Sequence, residues 1–77
     1  MTVLELGTTL RDMYDNAPPR DQVTMIHLFG IKYAGEIRAN KYTPKEIIRA
    51  AGMQESYQTE INKGIRLEKY VVPKATE

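Results

Sequence analysis

The amino-acid sequence predicts an all-α fold, a compact four-helix domain. Apolar residues recur three and four positions apart in four segments, and two of these segments begin with a capping box. Only residues 70–72 have a pattern that fits a short extended segment. The 77 residues of the chain match the length of one small domain. The predicted helices span about residues 3–15, 21–38, 43–51 and 56–70, with a tail over 71–77.

The first helix begins with a capping box at Thr2 and Glu5. In this motif the threonine hydroxyl accepts from the backbone amide of the glutamate, and the glutamate carboxylate accepts from the amide of the threonine. Pro18 and Pro19 prevent continuation of the helix, because they lack amide donors. The predicted buried face comprises Val3, Leu6, Leu10, Met13 and Tyr14.

The second helix starts at Arg20 or Asp21 and is the central one, because apolar residues cover most of its circumference. Gly30 and Gly35 lower its helix propensity, and we expect them to mark places where another helix comes close. Its main apolar stripe comprises Val23, Ile26, Tyr33, Ala34 and Ile37. His27 lies among apolar residues without a cluster of other ligands, which indicates a core or boundary residue.

A second capping box, Thr43 with Glu46, begins the third helix. Pro44 occupies the first helical position, where its missing donor does no harm, and Gly52 ends the helix as a left-handed cap. Ser56 is the expected cap of the fourth helix. The apolar face of that helix comprises Tyr57, Ile61, Gly64 and Ile65, and the opposite face comprises Gln58, Thr59, Asn62, Lys63, Arg66 and Lys69.

Composition excludes several functional classes. The chain has no cysteine, so it lacks a disulfide framework, a thiolate zinc site and a cysteine nucleophile. Its single histidine and single serine leave few residues that could serve as a catalytic nucleophile or base. A domain this small also has no room for a deep substrate cavity. We therefore expect a protein that is not an enzyme and holds no cofactor or metal. No segment is long and apolar enough for a membrane helix, and we expect a cytoplasmic protein without a membrane partner.

Charge is distributed unevenly along the chain. The net charge is +1, which by itself favours neither nucleic acid nor membrane as a partner. Residues 1–31 hold two basic and four acidic residues, whereas residues 32–77 hold nine basic and six acidic ones. The positive excess therefore lies in the half that contains the third and fourth helices.

A helix, a glycine turn and a second helix with exposed polar and basic side chains form the pattern of a helix-turn-helix DNA reader. In this pattern the second helix enters the major groove, where Gln and Asn pair with adenine, Lys pairs with guanine, and the Thr methyl contacts thymine. The candidate base-contacting residues are Gln58, Thr59, Asn62 and Lys63. Because these positions share one side of the helix, all four can face one groove.

Residues 57–65, Tyr-Gln-Thr-Glu-Ile-Asn-Lys-Gly-Ile, resemble the recognition helix of phage lambda Cro-type repressors. The strict resemblance covers about ten residues. A looser one covers about twenty-five, because it includes Thr43 to Gly52 as the helix that braces the recognition helix. It implies base contacts by Gln58, Thr59, Asn62 and Lys63, with Tyr57 and Asn62 also able to contact the DNA backbone. The family has two residues between the turn glycine and the glutamine, whereas five separate Gly52 from Gln58 here.

Further cations are candidates for contact with the DNA backbone. Arg66 and Lys69 lie toward the end of the fourth helix, and Lys45 and Arg49 lie on the third. The alternative for Arg66 and Lys69 is a favourable interaction with the helix dipole, and for Lys45 and Arg49 it is a solvated surface. For the polar face of the fourth helix, the alternative to DNA contact is that it only keeps the protein soluble or contacts another protein.

The sequence therefore predicts a small bacterial or phage transcriptional regulator that binds double-stranded DNA. One domain of this size covers one half-site, so this function requires a homodimer on a two-fold operator. The alternative is a helix-turn-helix-like protein-interaction module, such as a subunit, inhibitor or adaptor that docks a partner protein. The near-zero net charge favours this alternative.

Overall fold

The computed structural model describes residues 1–74 and contains four α-helices. They are α1 (Val3–Asp15), α2 (Gln22–Ala39), α3 (Pro44–Ala51) and α4 (Gln58–Leu67), with a 3-10 turn at Glu55–Tyr57. Over these 74 residues there is no strand, so the predicted all-α, four-helix fold is confirmed. No helix in this part of the chain has both the length and the apolar character needed to cross a membrane.

Local sequence signals determine the starts of α1 and α3. The Thr2 hydroxyl accepts from the Glu5 amide at 3.1 Å, and the Glu5 carboxylate accepts from the Thr2 amide at 2.7 Å. The Thr43 and Glu46 pair repeats this arrangement at 3.2 and 2.9 Å. Gly52 has φ 68°, which is the left-handed conformation predicted for it after α3. Both predicted capping boxes and the glycine cap are confirmed.

The fourth helix is shorter than its predicted span of 56–70. Residues 55–57 form the 3-10 turn instead, in which the Tyr57 amide donates to the Gln54 carbonyl at 3.1 Å. Ser56 therefore lies within this turn, and α4 starts without a side-chain cap. At the other end, the amides of Tyr70 and Val71 both donate to the Leu67 carbonyl, which closes a turn after the helix. Lys69 consequently follows α4 rather than belonging to it.

Smaller differences affect α2 and the tail. The helix runs from Gln22 to Ala39, one residue later at each end than the predicted 21–38, and Asp21 precedes it without a side-chain hydrogen bond to the backbone. Val23, which was assigned to the apolar stripe, is an exposed residue. In the predicted tail, residues 71–74 have no regular structure, and 75–77 lie outside the described residues.

The core combines side chains from all four helices. Ile61 of α4 is fully buried, as its predicted face requires. The largest fully buried side chains are Leu6, Leu10, Ile26, Phe29, Ile47, Ile48 and Ile61. Because every helix contributes at least one of these side chains, unpacking any one helix exposes the same core to solvent.

Two close crossings organise the bundle: α2 packs mainly on α4, and α1 packs mainly on α3. At the first crossing, a Cβ atom added to Gly30 would come within 2.7 Å of the Ile61 carbonyl oxygen. At the second, one added to Gly7 would come within 2.7 Å of the Ala50 Cβ. Gly30 therefore marks a close approach as predicted, but Gly35 does not, since no atom would lie within 4 Å of its added Cβ.

Candidate nucleic-acid interface

The inner side of α4 is anchored on α2 at three levels. Near the start of α4, His27 Nε2 lies 2.6 Å from Glu60 Oε1. In the middle, Gly64 packs directly against Gly30. Toward the end, Arg38 donates to the Ile65 carbonyl at 3.1 Å and to the Glu68 carboxylate at 2.7 Å. These contacts hold the inner side of the helix and leave its outer side uncovered.

The outer side of α4 carries the predicted base-contacting residues. Thr59, Asn62 and Lys63 are exposed, and Gln58 is half-buried. With about 100° of rotation per residue, Thr59, Asn62 and Arg66 fall within an arc of about 60°, while Gln58 and Lys63 lie on either side of it. The structure therefore brings the four predicted residues onto one helix surface and adds Arg66 to its centre.

Lys63 shares a carboxylate with His27. Its Nζ atom lies 3.5 Å from Glu60 Oε1, the same oxygen that contacts the histidine. The hydrogen bond from His27, opposed by burial and assisted by Lys63, lowers the pKa of Glu60 below its ordinary value of 4.5. Glu60 therefore partly offsets the positive charge at this edge of α4.

The candidate backbone-contacting cations differ in their surroundings. Arg49 pairs with Glu55 at 2.7 Å, and this contact lowers the pKa of the Glu55 carboxyl. Both partners are exposed, and an exposed ion pair is weak enough to exchange for another anion. Lys45, Arg66 and Lys69 are exposed, and no carboxylate within residues 1–74 lies at ion-pair distance from them. Lys45 and Arg49 are four residues apart and share one face of α3.

Tyr57 is directed partly toward the protein interior. Its hydroxyl lies 3.2 Å from that of Tyr14, and the two ring centroids are 5.7 Å apart. This hydrogen bond raises the pKa of Tyr14. The residue therefore joins α1 to the 3-10 turn, and its predicted role as a DNA backbone contact stays a prediction.

The turn between α3 and α4 differs from that of the Cro-type pattern. The five residues between Gly52 and Gln58 include the 3-10 turn Glu55–Tyr57, which uses the additional length. The two helices also contact each other less than α2 contacts α4 or α1 contacts α3. Their relative position is therefore set mainly through α1 and α2.

Sequence reasoning missed His27, Glu60 and Arg38 as residues that position the candidate interface. The His27 and Glu60 contact joins positions 33 residues apart, and the Arg38 contact with Glu68 joins positions 30 apart. No local spacing rule links residues so distant along the chain. The one available signal was that Glu60 lies beside the apolar face of α4, on the border where a partner from a neighbouring helix can reach it.

Comparison with known proteins assigns the fold to a family. The family described as HTH-like domain matches residues 2–74. Searches of curated proteins and of solved structures found no match to this chain. The family match supports a domain of helix-turn-helix type, while the resemblance to Cro-type repressors is not confirmed by it. On the extent of this match, which covers nearly the whole chain, the protein belongs to the HTH-like domain family.

Proposed function

We propose that this protein is a small DNA-binding regulator of bacterial or phage transcription that reads duplex DNA in the major groove through α4. The observation that carries the proposal is the exposed polar arc of Thr59, Asn62 and Arg66 on a helix whose opposite side is anchored to α2. A helix fixed along one side and polar along the other is suited to reading base edges, because its side chains are presented without rearrangement of the fold.

The chemistry of the arc matches that of base edges. The Asn62 amide can donate to and accept from one adenine, and Gln58 at the side of the arc can do the same. The guanidinium of Arg66 and the ammonium of Lys63 suit guanine or a phosphate oxygen. Under this proposal Thr59 contacts a thymine methyl group.

The remaining cations fit contacts with the DNA backbone. Lys45 and Arg49 lie on the helix that precedes the reading helix, the place from which phosphate contacts set register in this class of fold. Lys69 follows the end of α4 as a further exposed cation. Phosphate contacts of this kind make affinity strongly dependent on salt concentration.

A homodimer completes the proposal, because one domain reads one half-site of a two-fold operator. Val71 and Val72 are exposed, the latter by 85% of its surface, and they offer apolar area for contact between two copies. We place this dimer in the cytoplasm, where duplex DNA of a bacterium or an infecting phage lies.

The test is titration of the protein with a random duplex library, followed by selection of the preferred sequence. Gln58→Ala and Asn62→Ala should each weaken binding to the preferred sequence by about 1–3 kcal/mol and leave nonspecific binding nearly unchanged. Arg66→Ala and Lys69→Ala should weaken binding to all duplexes and lower the salt slope by about one for each lost phosphate contact.

Lys32→Ala is the matched control, since Lys32 is an exposed cation on the outer side of α2, away from the reading helix. It should change neither specificity nor the salt slope appreciably. If the parent protein binds no duplex at low salt, or if all four α4 variants bind like the parent, the DNA proposal fails. The chain is then better described as a protein-interaction module.

A further inference from the structure

A shallow groove lies along α4 on the side next to α2, and it shares Arg66 with the polar arc. It is lined by His27, Lys63, Arg66, Leu67 and Tyr70, and we call it the α2–α4 groove. The surface of the groove is formed almost entirely by the carbon atoms of these side chains. Leu67 is 41% exposed and Tyr70 is 81% exposed, so two large apolar side chains here have no cover from the described residues.

On α2, the residue four positions before the groove-lining His27 is also apolar. Val23 is exposed and lies four residues before His27, which places the two on the same face of that helix. Contiguous apolar surface that is rimmed by charged residues is typical of sites that bind another molecule. The groove therefore differs from a single exposed leucine, which is common on protein surfaces.

Two cations lie at the edge of this apolar surface. Lys63 contributes an ammonium that is only 3.5 Å from Glu60, yet Glu60 also holds His27. Arg66 has no carboxylate within ion-pair distance among residues 1–74. The groove thus combines apolar area with positive charge that the fold does not neutralise fully.

The shape of the groove favours a chain segment over a small molecule. A small-molecule site encloses most of its ligand, whereas the high exposure of Leu67 and Tyr70 leaves this surface open. A second copy placed by a two-fold axis through the groove is disfavoured for another reason. It would bring Lys63 and Arg66 of one copy toward the same cations of the other.

We infer that the α2–α4 groove binds an acidic amphipathic helical segment of a partner protein. Apolar residues on one face of that segment cover Leu67 and Tyr70, and carboxylates beside them pair with Lys63 and Arg66. Because those two cations also belong to the surface assigned to DNA, the partner displaces duplex DNA from the protein. This last consequence depends on the proposed function, but the peptide site itself does not.

The test uses an acetylated and amidated helical peptide about twelve residues long, or about three turns. It carries one tryptophan and two leucines on one face, two glutamates beside them, and alanine elsewhere, which favours the helix. The protein contains no tryptophan, so tryptophan fluorescence reports the peptide alone. We expect saturable binding that weakens with salt, and at least about tenfold weaker binding after Leu67→Ser, which removes an apolar contact. Lys63→Ala and Arg66→Ala should also weaken binding, and Lys32→Ala should not.

Two comparisons separate this inference from the DNA proposal. Leu67→Ser should retain duplex binding and lose peptide binding, while Asn62→Ala should lose preferred-sequence binding and retain the peptide. Equal binding of a control peptide with glutamine in place of glutamate overturns the inference, as does parent-like peptide binding by Leu67→Ser. A dimer of the free protein that Leu67→Ser converts to a monomer also overturns it, because the occupant is then a second copy.

Discussion

At the residue scale, the contact between His27 and Glu60 supplies an anchor at a helix start that has no side-chain cap. Glu60 lies in the first turn of α4, where its negative charge also interacts favourably with the helix dipole. The same carboxylate faces Lys63 one turn later. One side chain therefore joins two helices and moderates the charge of the candidate interface.

The lowered pKa of Glu60 predicts a loss of stability in acid. A carboxyl whose pKa is lower in the folded protein stabilises it above the ordinary value of 4.5, and this contribution disappears as pH falls through the folded pKa. Glu60→Gln should therefore be less stable than the parent near neutral pH. Its melting temperature should also fall less between about pH 6 and about pH 3.

Thermal melts followed by circular dichroism at both pH values measure this difference. Glu55→Gln is the comparison, because Glu55 also has a lowered pKa but pairs with Arg49 at a more exposed site. Its effect should be smaller because solvent screens that pair. Identical acid sensitivity in Glu60→Gln and the parent would show that the histidine contact does not stabilise the fold.

Ile61 is the apolar counterpart of Glu60 on α4. It is fully buried at the centre of the core, so Ile61→Ala removes buried methyl groups and leaves a cavity. We expect a loss of about 2–5 kcal/mol in the free energy of unfolding, measured by urea denaturation. Leu4→Ala, at a position of α1 that is 64% exposed, should stay within about 0.5 kcal/mol of the parent. Equal midpoints for the two variants would contradict the assigned core.

At the element scale, the crossing of α2 and α4 depends on backbone lying against backbone. A Cβ atom on Gly64 would overlap the His27 carbonyl and lie 2.9 Å from the Gly30 Cα. Main-chain atoms cannot rotate away as the end of a side chain can. The position of α4 is therefore set by the absence of side chains at two facing residues.

This crossing gives opposite predictions for two glycine substitutions. Gly64→Ala should lower the free energy of unfolding by about 1–3 kcal/mol, because the helices must separate. Gly35→Ala should raise it by about 0.5–1 kcal/mol, since its new Cβ meets no atom within 4 Å and alanine favours the helix. Chemical denaturation of both variants tests the pair, and a stabilising effect of Gly64→Ala would be incompatible with the close crossing.

Helix starts with strong local signals were predictable, and the partners of the contacts between helices were not. Thr2 and Thr43 each lie three residues before a glutamate, so their capping boxes are visible in the sequence. The two glycines of α2 carry the same local signal, yet only Gly30 meets another helix. That distinction depends on where α4 lies, which the pattern of α2 does not contain.

For the candidate interface, too, local features were predictable and tertiary contacts were not. The face that carries Thr59, Asn62 and Lys63 followed from helical periodicity and is exposed as expected. α4 starts two residues after its approximate predicted start, and the 3-10 turn before it carries Tyr57, whose hydroxyl contacts that of Tyr14, 43 residues away in sequence. Whether the exposed face contacts DNA stays a prediction, because exposure is compatible with both proposed partners.

At the scale of the whole molecule, the principal helix pairs interleave along the chain. α1 packs mainly on α3, and α2 packs mainly on α4, so neither half of the sequence contains a complete principal pair. The core side chains also come from all four helices. We therefore expect folding in one cooperative step.

Fragments provide a direct test of this interleaving. Residues 1–42 and residues 43–77, prepared as separate peptides, should each show weak helicity, because each lacks its main packing partners. Mixing them should restore helical circular dichroism and a cooperative melt. A cooperative melt of either fragment alone would show that the principal pairs are not required for folding.

The limited direct contact between α3 and α4 has a consequence for engineering. Grafting residues 43–67 onto another scaffold should not carry their geometry along, because that geometry is imposed by α1 and α2. The outward side chains of α4, in contrast, do not contribute to that geometry. Asn62 takes no part in the crossings, so its identity can be exchanged without moving α4, whereas Thr59 also donates its hydroxyl to the Ser56 carbonyl at 3.2 Å and is best replaced by serine. The exposed face can therefore be rewritten in place although it cannot be transplanted.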